Sequence, residues 1–346
     1  MAIIDPSWTV SSRQALLFMQ LADSLNVSRQ RLISDCDLDP LWLENPDFRM
    51  PVAAIYKLAK RLAKLSGNED IGLLVGRVSY LNLVSLILYL PRICDNLRQW
   101  LNMMPSVMEM QGDIGESVVI REGDCIRTQW NPLINNEHSG RYFADMILAS
   151  SVSLLQSVCI QPVKIEKAYF AYPEPEDLSL HHQIFGEQLF FEQAFSGLFF
   201  DIAALDYPLV KPLDAAALRL HENILGAVDR DSGDGFLRQM RRSIVKALPS
   251  GAMSIDSIAE ELSISRRTLQ RRLSERNTHF LNEVQDIRSA IAARLLKNQQ
   301  MGITEIAFLL GYADSSSFST AFKSWHGISP KDYAQQHGGE AVSPTP

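Results

Sequence analysis

SIDSIAEELSISRRTLQRRLSERN, residues 254–277, holds two short apolar stripes separated by a turn, and five arginines crowd the second of them. Ser254 can cap a first helix whose inward face is Ile255, Ile258, Ala259 and Leu262, and Ser263 and Ile264 then make a turn. Ser265 can accept a hydrogen bond from an otherwise unpaired first-turn amide of a second helix. Leu269 and Leu273, four residues apart, give that helix one apolar stripe, and Asn277 suits the left-handed position that ends it. Two short helices with a small residue, Ala259, where they cross are the features of a helix-turn-helix.

The pattern returns about fifty residues later in ITEIAFLLGYADSSSFSTAFKSWHG, residues 303–327. Ile303, Ile306, Ala307 and Leu310 correspond to Ile255, Ile258, Ala259 and Leu262. Gly311 and Tyr312 stand at the turn, and Phe318 and Phe322 replace Leu269 and Leu273 after a one-residue insertion. Between the copies, Val284, Ile287, Ile291, Leu295 and Leu296 mark the buried side of a spacer helix from about Asn282 to Asn298. Ahead of them, Phe236, Met240, Ile244 and Leu248 recur every four residues as an opening amphipathic helix, stopped by Pro249, Ser250 and Gly251.

The basic stretch belongs to a chain of 346 residues with a formal net charge of −7. Residues 1–229 hold 18 Lys/Arg against 28 Asp/Glu, whereas residues 230–337 hold 15 against 11. An acidic body repels polyanions and a smaller basic module restores local attraction to phosphate, so the two halves face different partners. DRDSGDG, residues 229–235, has the polar, glycine-containing composition of a linker between them. The domains expected are therefore 1–228, a linker at 229–235, 236–337, and a disordered tail at 338–346.

From about Phe236 to Gln336 the chain resembles the DNA-binding domain of the AraC/XylS family of bacterial transcription regulators. The resemblance takes in the second helix-turn-helix and the ending made by Gly327, Ser329, Pro330 and Tyr333. It implies that the helix after Ser265 enters the major groove of promoter or operator DNA, with RNA polymerase as a further partner. The residues agree. With Leu269 and Leu273 turned inward, Arg267, Gln270, Arg271 and Ser274 fall on the opposite face, where arginine can pair with guanine and glutamine with adenine. Thr268 belongs to the same helix, and Arg266, Arg272 and Arg276 flank it as expected phosphate contacts. On the second reading helix the expected exposed positions are Ser315, Ser316, Ser317, Ser319 and Thr320, with Lys323 as the cation. Many relatives carry arginine where Thr320 stands, so base discrimination is expected to rest mainly on the first motif, with water-mediated readout by the serines as the alternative.

The first half reads as α+β. Helices are expected at Gln14–Ser24, Ser28–Ser34, Val52–Ser66, Ile71–Leu90 and about Asn96–Met104, making residues 1–110 helical. Residues 111–210 are mixed: a hairpin in GESVVIREGDCIRTQWN about Glu122, Gly123 and Asp124, a helix at Gly140–Val158, a strand in VKIEKAYFAYP, a short helix ending at HHQIFG, and strands near Leu189–Phe191 and Leu198–Asp201. A connecting helix is expected over 212–228. DIGLLVGR at Asp70–Arg77 and IFGEQLFFEQAFSGLFFDIAALDYPL at Ile184–Leu209 resemble the arabinose-binding type of N-terminal domain found in one branch of AraC-like regulators. That implies a sensing or dimerising module, so a small-molecule effector is expected, with a homodimer interface that takes no ligand as the alternative; no residue is assigned to the effector, and activation and repression both fit.

Other chemistry finds little footing. The sequence has no G-x-S-x-G, H-E-x-x-H or G-x-x-x-x-G-K constellation, so no catalytic residue and no cofactor is expected. His181 and His182 are adjacent, whereas a helical metal pair needs a four-residue step. Cys36, Cys94, Cys125 and Cys159 lie far apart, as in a cytoplasmic protein with reduced thiols. The apolar stretch Ile71–Leu90 is interrupted by Arg77, Ser79, Asn82, Ser85 and two glycines, Gly72 and Gly76, and closed by Pro91, which favours a buried helix over a membrane span. Tyr169, Phe170, Tyr172, Phe185, Phe190, Phe191, Phe195, Phe199 and Phe200 suit a core, with an apolar ligand pocket as the alternative.

Overall fold

Thr9–Ser11 (β1) leads directly into Ser12–Ser24 (α1), because the Ser11 hydroxyl accepts from the Arg13 amide and caps the helix. Arg29–Cys36 (α2) and Pro40–Glu44 (α3) follow, and Arg49–Pro51 (β2) pairs antiparallel with β1, Val10 opposite Met50. Val52–Ser66 (α4) buries Ile55, Leu58, Ala59 and Leu62, the face its four-residue spacing marked, and stacks Tyr56 on Phe143 at 4.0 Å. This computed structural model describes residues 8–44, 48–79, 84–104, 107, 112–133, 140–211, 224–228, 234–251, 253–298 and 301–337. The chain divides into two compact units, residues 1–211 and 212–346.

The apolar stretch expected as one helix from Ile71 to Leu90 is two: Ile71–Ser79 (α5) and Val84–Ile93 (α6), with 80–83 outside the described residues. Pro91 lies inside α6 instead of ending it. Proline removes one helical hydrogen bond, and near a C-terminus the ladder can resume, as it does where the Cys94 amide bonds to the Leu90 carbonyl at 3.0 Å. Leu97–Leu101 (α7) is capped by Asn96. Gly115–Glu122 (β3) and Cys125–Pro132 (β4) form the expected hairpin; Glu122 faces Cys125, and Gly123 takes the positive φ, 64°, that a two-residue loop needs.

Gly140–Val158 (α8) packs closely on α5. A Cβ at Gly72 would lie 2.2 Å from the Tyr142 carbonyl oxygen, and one at Gly76 2.5 Å from that of Met146, so the glycines of DIGLLVGR are where two backbones touch. Lys167–Tyr169 (β5), Ser179–Phe185 (α9), Leu189–Phe190 (β6) and Ser196–Asp201 (β7) complete the unit. The sheet order is β3-β4-β7-β5-β6, antiparallel except for β5 with β6. The strand expected across VKIEKAYFAYP is regular only at β5; the Phe170 amide still bonds to the Phe190 carbonyl, but the Ala171 amide turns to the Ser196 hydroxyl and Pro173 has no amide to give. The aromatic residues divide by sheet face: Tyr169 meets Phe190, Phe195 and Phe199, while Phe170 meets Tyr172, Phe185, Phe191 and His181. His181 is fully buried and points at the Tyr172 hydroxyl, 3.0 Å away, which in turn donates to buried Asp145.

Every regular element described in the second unit is a helix. Residues 224–228 form a helical turn whose Gly226 lies against the Arg294 guanidinium. The rest of the expected connecting helix, 212–223, the first part of the linker, 229–233, and the tail, 338–346, fall outside the described residues. Gly235–Ala247 (α10) buries Met240 and Ile244. Ile255–Glu261 (α11) is opened by a reciprocal cap between Ser254 and Ser257, and Arg266–Ser274 (α12) by Ser265. Phe280–Asn298 (α13) buries Val284, Ile287, Ile291, Leu295 and Leu296, the spacer face read from the sequence. Ile303–Leu309 (α14), Ser315–His326 (α15) and Pro330–His337 (α16) finish the chain.

The duplication is exact in hydrogen bonding at the two turns. Ser263 and Ile264 donate their amides to Glu260 and Ala259, and Gly311 and Tyr312 donate theirs to Phe308 and Ala307. Both first turn residues are left-handed, Ser263 at φ 54° and Gly311 at φ 73°. Only the second requires glycine for space, because a Cβ at Gly311 would lie 2.3 Å from the Leu248 carbonyl oxygen.

Candidate nucleic-acid interface

On α12 the buried side is Leu269 and Leu273, and Arg267, Gln270, Arg271 and Ser274 are exposed opposite them. The side chains of Arg267, Gln270 and Ser274 make no hydrogen bond or ion pair among the described residues, although the Ser274 carbonyl accepts from the Asn277 amide. Their donors are therefore unspent. Arg271 pairs with Glu275 one turn on, at 2.9 Å, and Arg266 with Asp256 of α11, at 3.0 Å. Both pairs are solvent-exposed, where an ion pair is worth only about 0–1 kcal/mol, so a phosphate or a base can displace the carboxylate at small cost. Thr268 is half-buried, with its hydroxyl 2.9 Å from that of Ser265, and helps close the first turn of α12.

Arg272 and Arg276, expected against phosphate, turn back into the unit. Their guanidinium carbons sit 5.0 and 4.9 Å from the ring centroid of Phe236, at the start of α10, an arrangement that draws a cation to the negative face of the ring. Arg276 also donates to Asp234 at 2.5 Å and to the Arg272 carbonyl at 2.8 Å. Asp234 caps α10 through the amides of Phe236 and Leu237, and the Arg276 hydrogen bond is the main reason its carboxyl is held below the usual carboxylate range. Sequence alone offered Asp234 as part of a linker; the signal available was an aspartate directly ahead of the residues that open the amphipathic helix, which is the place of an N-cap.

On α15, Ser316, Ser317, Thr320 and Lys323 are exposed, whereas Ser315 and Ser319 are half-buried. The hydroxyls are unevenly committed. Ser317 donates to the capping Asp314 at 2.9 Å, and Ser319 donates to the Ser315 carbonyl at 2.7 Å. The side chains of Ser316, Thr320 and Lys323 have no hydrogen-bond partner among the described residues, although the Lys323 carbonyl accepts from the Gly327 amide, and this makes them the open groups of the helix. Its far end is fixed by His326, stacked on Phe322 at 4.4 Å and bonded to Ser289 of α13 at 2.9 Å.

Arg288 was not singled out by the sequence because it lies on the spacer helix, outside both motifs. It donates to the Leu310 carbonyl at 2.8 Å and covers the Tyr312 ring at 4.8 Å, locking the second turn. Burial pushes the Tyr312 hydroxyl pKa up, and the same guanidinium partly opposes that shift. Among the described residues, no three His, Cys, Asp or Glu side chains gather as metal ligands, and no helix is long and apolar enough to cross a membrane.

Comparison with known proteins follows the same division. The profile of the arabinose-binding domain of AraC transcription regulators, N-terminal, matches residues 27–209, and a helix-turn-helix domain profile matches residues 258–336. The ornithine utilization regulator of Pseudomonas aeruginosa is 26% identical over 328 residues, covering 94% of this chain and 96% of that protein. The HTH-type transcriptional activator RhaS of Escherichia coli is 35% identical over 88 residues, 24% of this chain and 31% of that protein. Among solved structures, the transcriptional regulator CdpR from Pseudomonas aeruginosa aligns over 93% of this chain and 98% of that one, at 19% identity and a TM-score of 0.45. With its N-terminal profile spanning more than half the sequence and a doubled helix-turn-helix behind it, the chain belongs to the AraC family of helix-turn-helix transcription regulators.

Proposed function

We propose that this regulator reads an asymmetric operator mainly through α12. Arg267, Gln270 and Arg271 meet base edges in the major groove, Ser274 lies beside them, and Arg266 and Thr268 serve the flanking backbone. The observation that carries this reading is the exposed face of α12, on which Arg267 and Gln270 have no partner of their own to give up. The second helix, α15, adds Ser316, Thr320 and Lys323, with Ser315, Ser317 and Ser319 spent largely on the helix itself. Two reading helices on one chain suit two successive major grooves. The first unit takes a small-molecule effector, and the regulator acts on RNA polymerase as a homodimer; the arabinose-binding type of its N-terminal profile supports the effector part of this reading.

The test is a DNase footprint of the intergenic DNA beside the protein's own gene, with the full chain and with Arg267→Ala and Arg271→Ala. A discrete protected site that both variants lose supports the reading. Protection of equal strength on any duplex sinks it and leaves a binder without sequence preference.

A further inference from the structure

Both reading helices are gripped at their C-terminal ends by residues outside the helix-turn-helix motifs, and for α12 that grip begins at the linker. Asp234 divides its carboxylate between two tasks. One oxygen accepts from the first-turn amides of α10, at 2.8 and 3.2 Å, and the other accepts from Arg276, which in turn holds the Arg272 carbonyl near the end of α12. Phe236 lies under both guanidinium groups. A second tie runs in parallel: buried Glu283 accepts from Arg241 of α10 at 2.8 Å and from the Thr278 hydroxyl, just past α12, at 3.0 Å. Asn277 between them takes the left-handed conformation, φ 56°, that reverses the chain. The end of α12 is therefore set by α10 and not only by its own partner helix, α11.

We infer that Asp234 is a positioning residue for base readout: its bridge to Arg276 holds α12 at the angle at which Arg267, Gln270 and Arg271 reach base edges. This rests on the reading that α12 enters the groove. Base hydrogen bonds are short and directional, so a small rotation of the helix breaks them, whereas phosphate attraction tolerates it. The bridge thus controls sequence discrimination, while affinity for DNA in general is left to charge. Asp234 is itself negative, and an electrostatic role alone would make its removal strengthen binding to every duplex.

Asp234→Asn separates the two tasks, because asparagine is as good an N-cap as aspartate but offers no carboxylate to Arg276. In the full-length protein, titrated against the footprinted site and against random duplex of equal length, we expect affinity for the site to fall about tenfold or more, the loss typical of a charged hydrogen bond. Affinity for random duplex stays level or rises, and the salt dependence keeps its slope because no phosphate contact is lost. Asp234→Glu, which keeps the charge, restores discrimination relative to Asn. The inference is overturned if Asp234→Asn keeps the wild-type ratio between site and random duplex, or if it weakens both equally. Should Asp234→Asn melt early, Arg276→Lys, which keeps a cation but not the fork, must lower the same ratio for the inference to stand. If the wild-type protein itself shows no preference for any site, the fault lies with the groove reading, and this inference goes with it.

Discussion

Arg271 illustrates how little a surface ion pair decides and how much a displaced one can. Its bond to Glu275 is exposed on both sides, so giving it up costs little, and the bidentate contact to guanine proposed for it would more than replace it. Arg271→Ala should weaken binding at the operator by about 1–3 kcal/mol and relax the base preference at one position, read by titrating single-base variants of the site. Weakening by the same factor on every sequence would assign Arg271 to phosphate instead. The thiols make a second residue-scale case. Burial pushes Cys94 and Cys159 from an ordinary 9.0 up to about 11, and the Cys125 thiol, though partly exposed, is raised by its bond to Glu166. At pH 8 the buried Cys94 and Cys159 are protonated in the native protein, so a thiolate-directed reagent should label these two far more slowly than in denaturant. The sign for stability follows: protonated burial of Cys94 and Cys159 contributes fully below their unfolded pKa and is lost as pH rises toward about 11. A melting temperature that held constant from pH 8 to pH 11 would contradict it.

At the scale of elements, the two helix-turn-helix copies share a turn but not its tolerance. Ser263 adopts φ 54° with room for its side chain, while Gly311 at φ 73° has the Leu248 carbonyl where a Cβ would go. Gly311→Ala should therefore destabilise the second unit by about 2 kcal/mol or more, combining left-handed strain with a backbone clash, and thermal unfolding would measure it. Ser263→Gly should do the reverse, by about 0.5–1 kcal/mol, because glycine has no Cβ to strain. The two turns, the Ser254 and Ser265 caps and the apolar stripes of this unit were legible because each depends on neighbours within four residues. What was not legible at this scale came from distant packing. Gly72 and Gly76 read as interruptions of an apolar run until α8 is seen against them, and Pro91 reads as a stop although the ladder resumes past it.

Over the whole molecule the charge is divided, with 18 Lys/Arg against 28 Asp/Glu in residues 1–229 and 15 against 11 in residues 230–337. The acidic part opposes approach to any polyanion, so a fragment starting at Asp229 should bind random duplex more tightly than the full chain at about 50 mM salt. The difference should close by about 0.3 M, as screening shortens the reach of the repulsion. Equal affinities at low salt would mean that the acidic unit exerts no field at the interface. The sequence by itself determined the family, the doubled motif and the face of α12 that carries Arg267, Gln270 and Arg271, because helical periodicity and capping are local and repeat visibly. Only the tertiary structure decided which of the clustered arginines stay outward. In the sequence Arg272 and Arg276 read as outward phosphate contacts, yet Phe236 and Asp234, more than thirty residues earlier, draw them inward. Burial, pairing and close backbone approach are set by residues that meet only after the chain has folded, and no local pattern encodes which partner arrives.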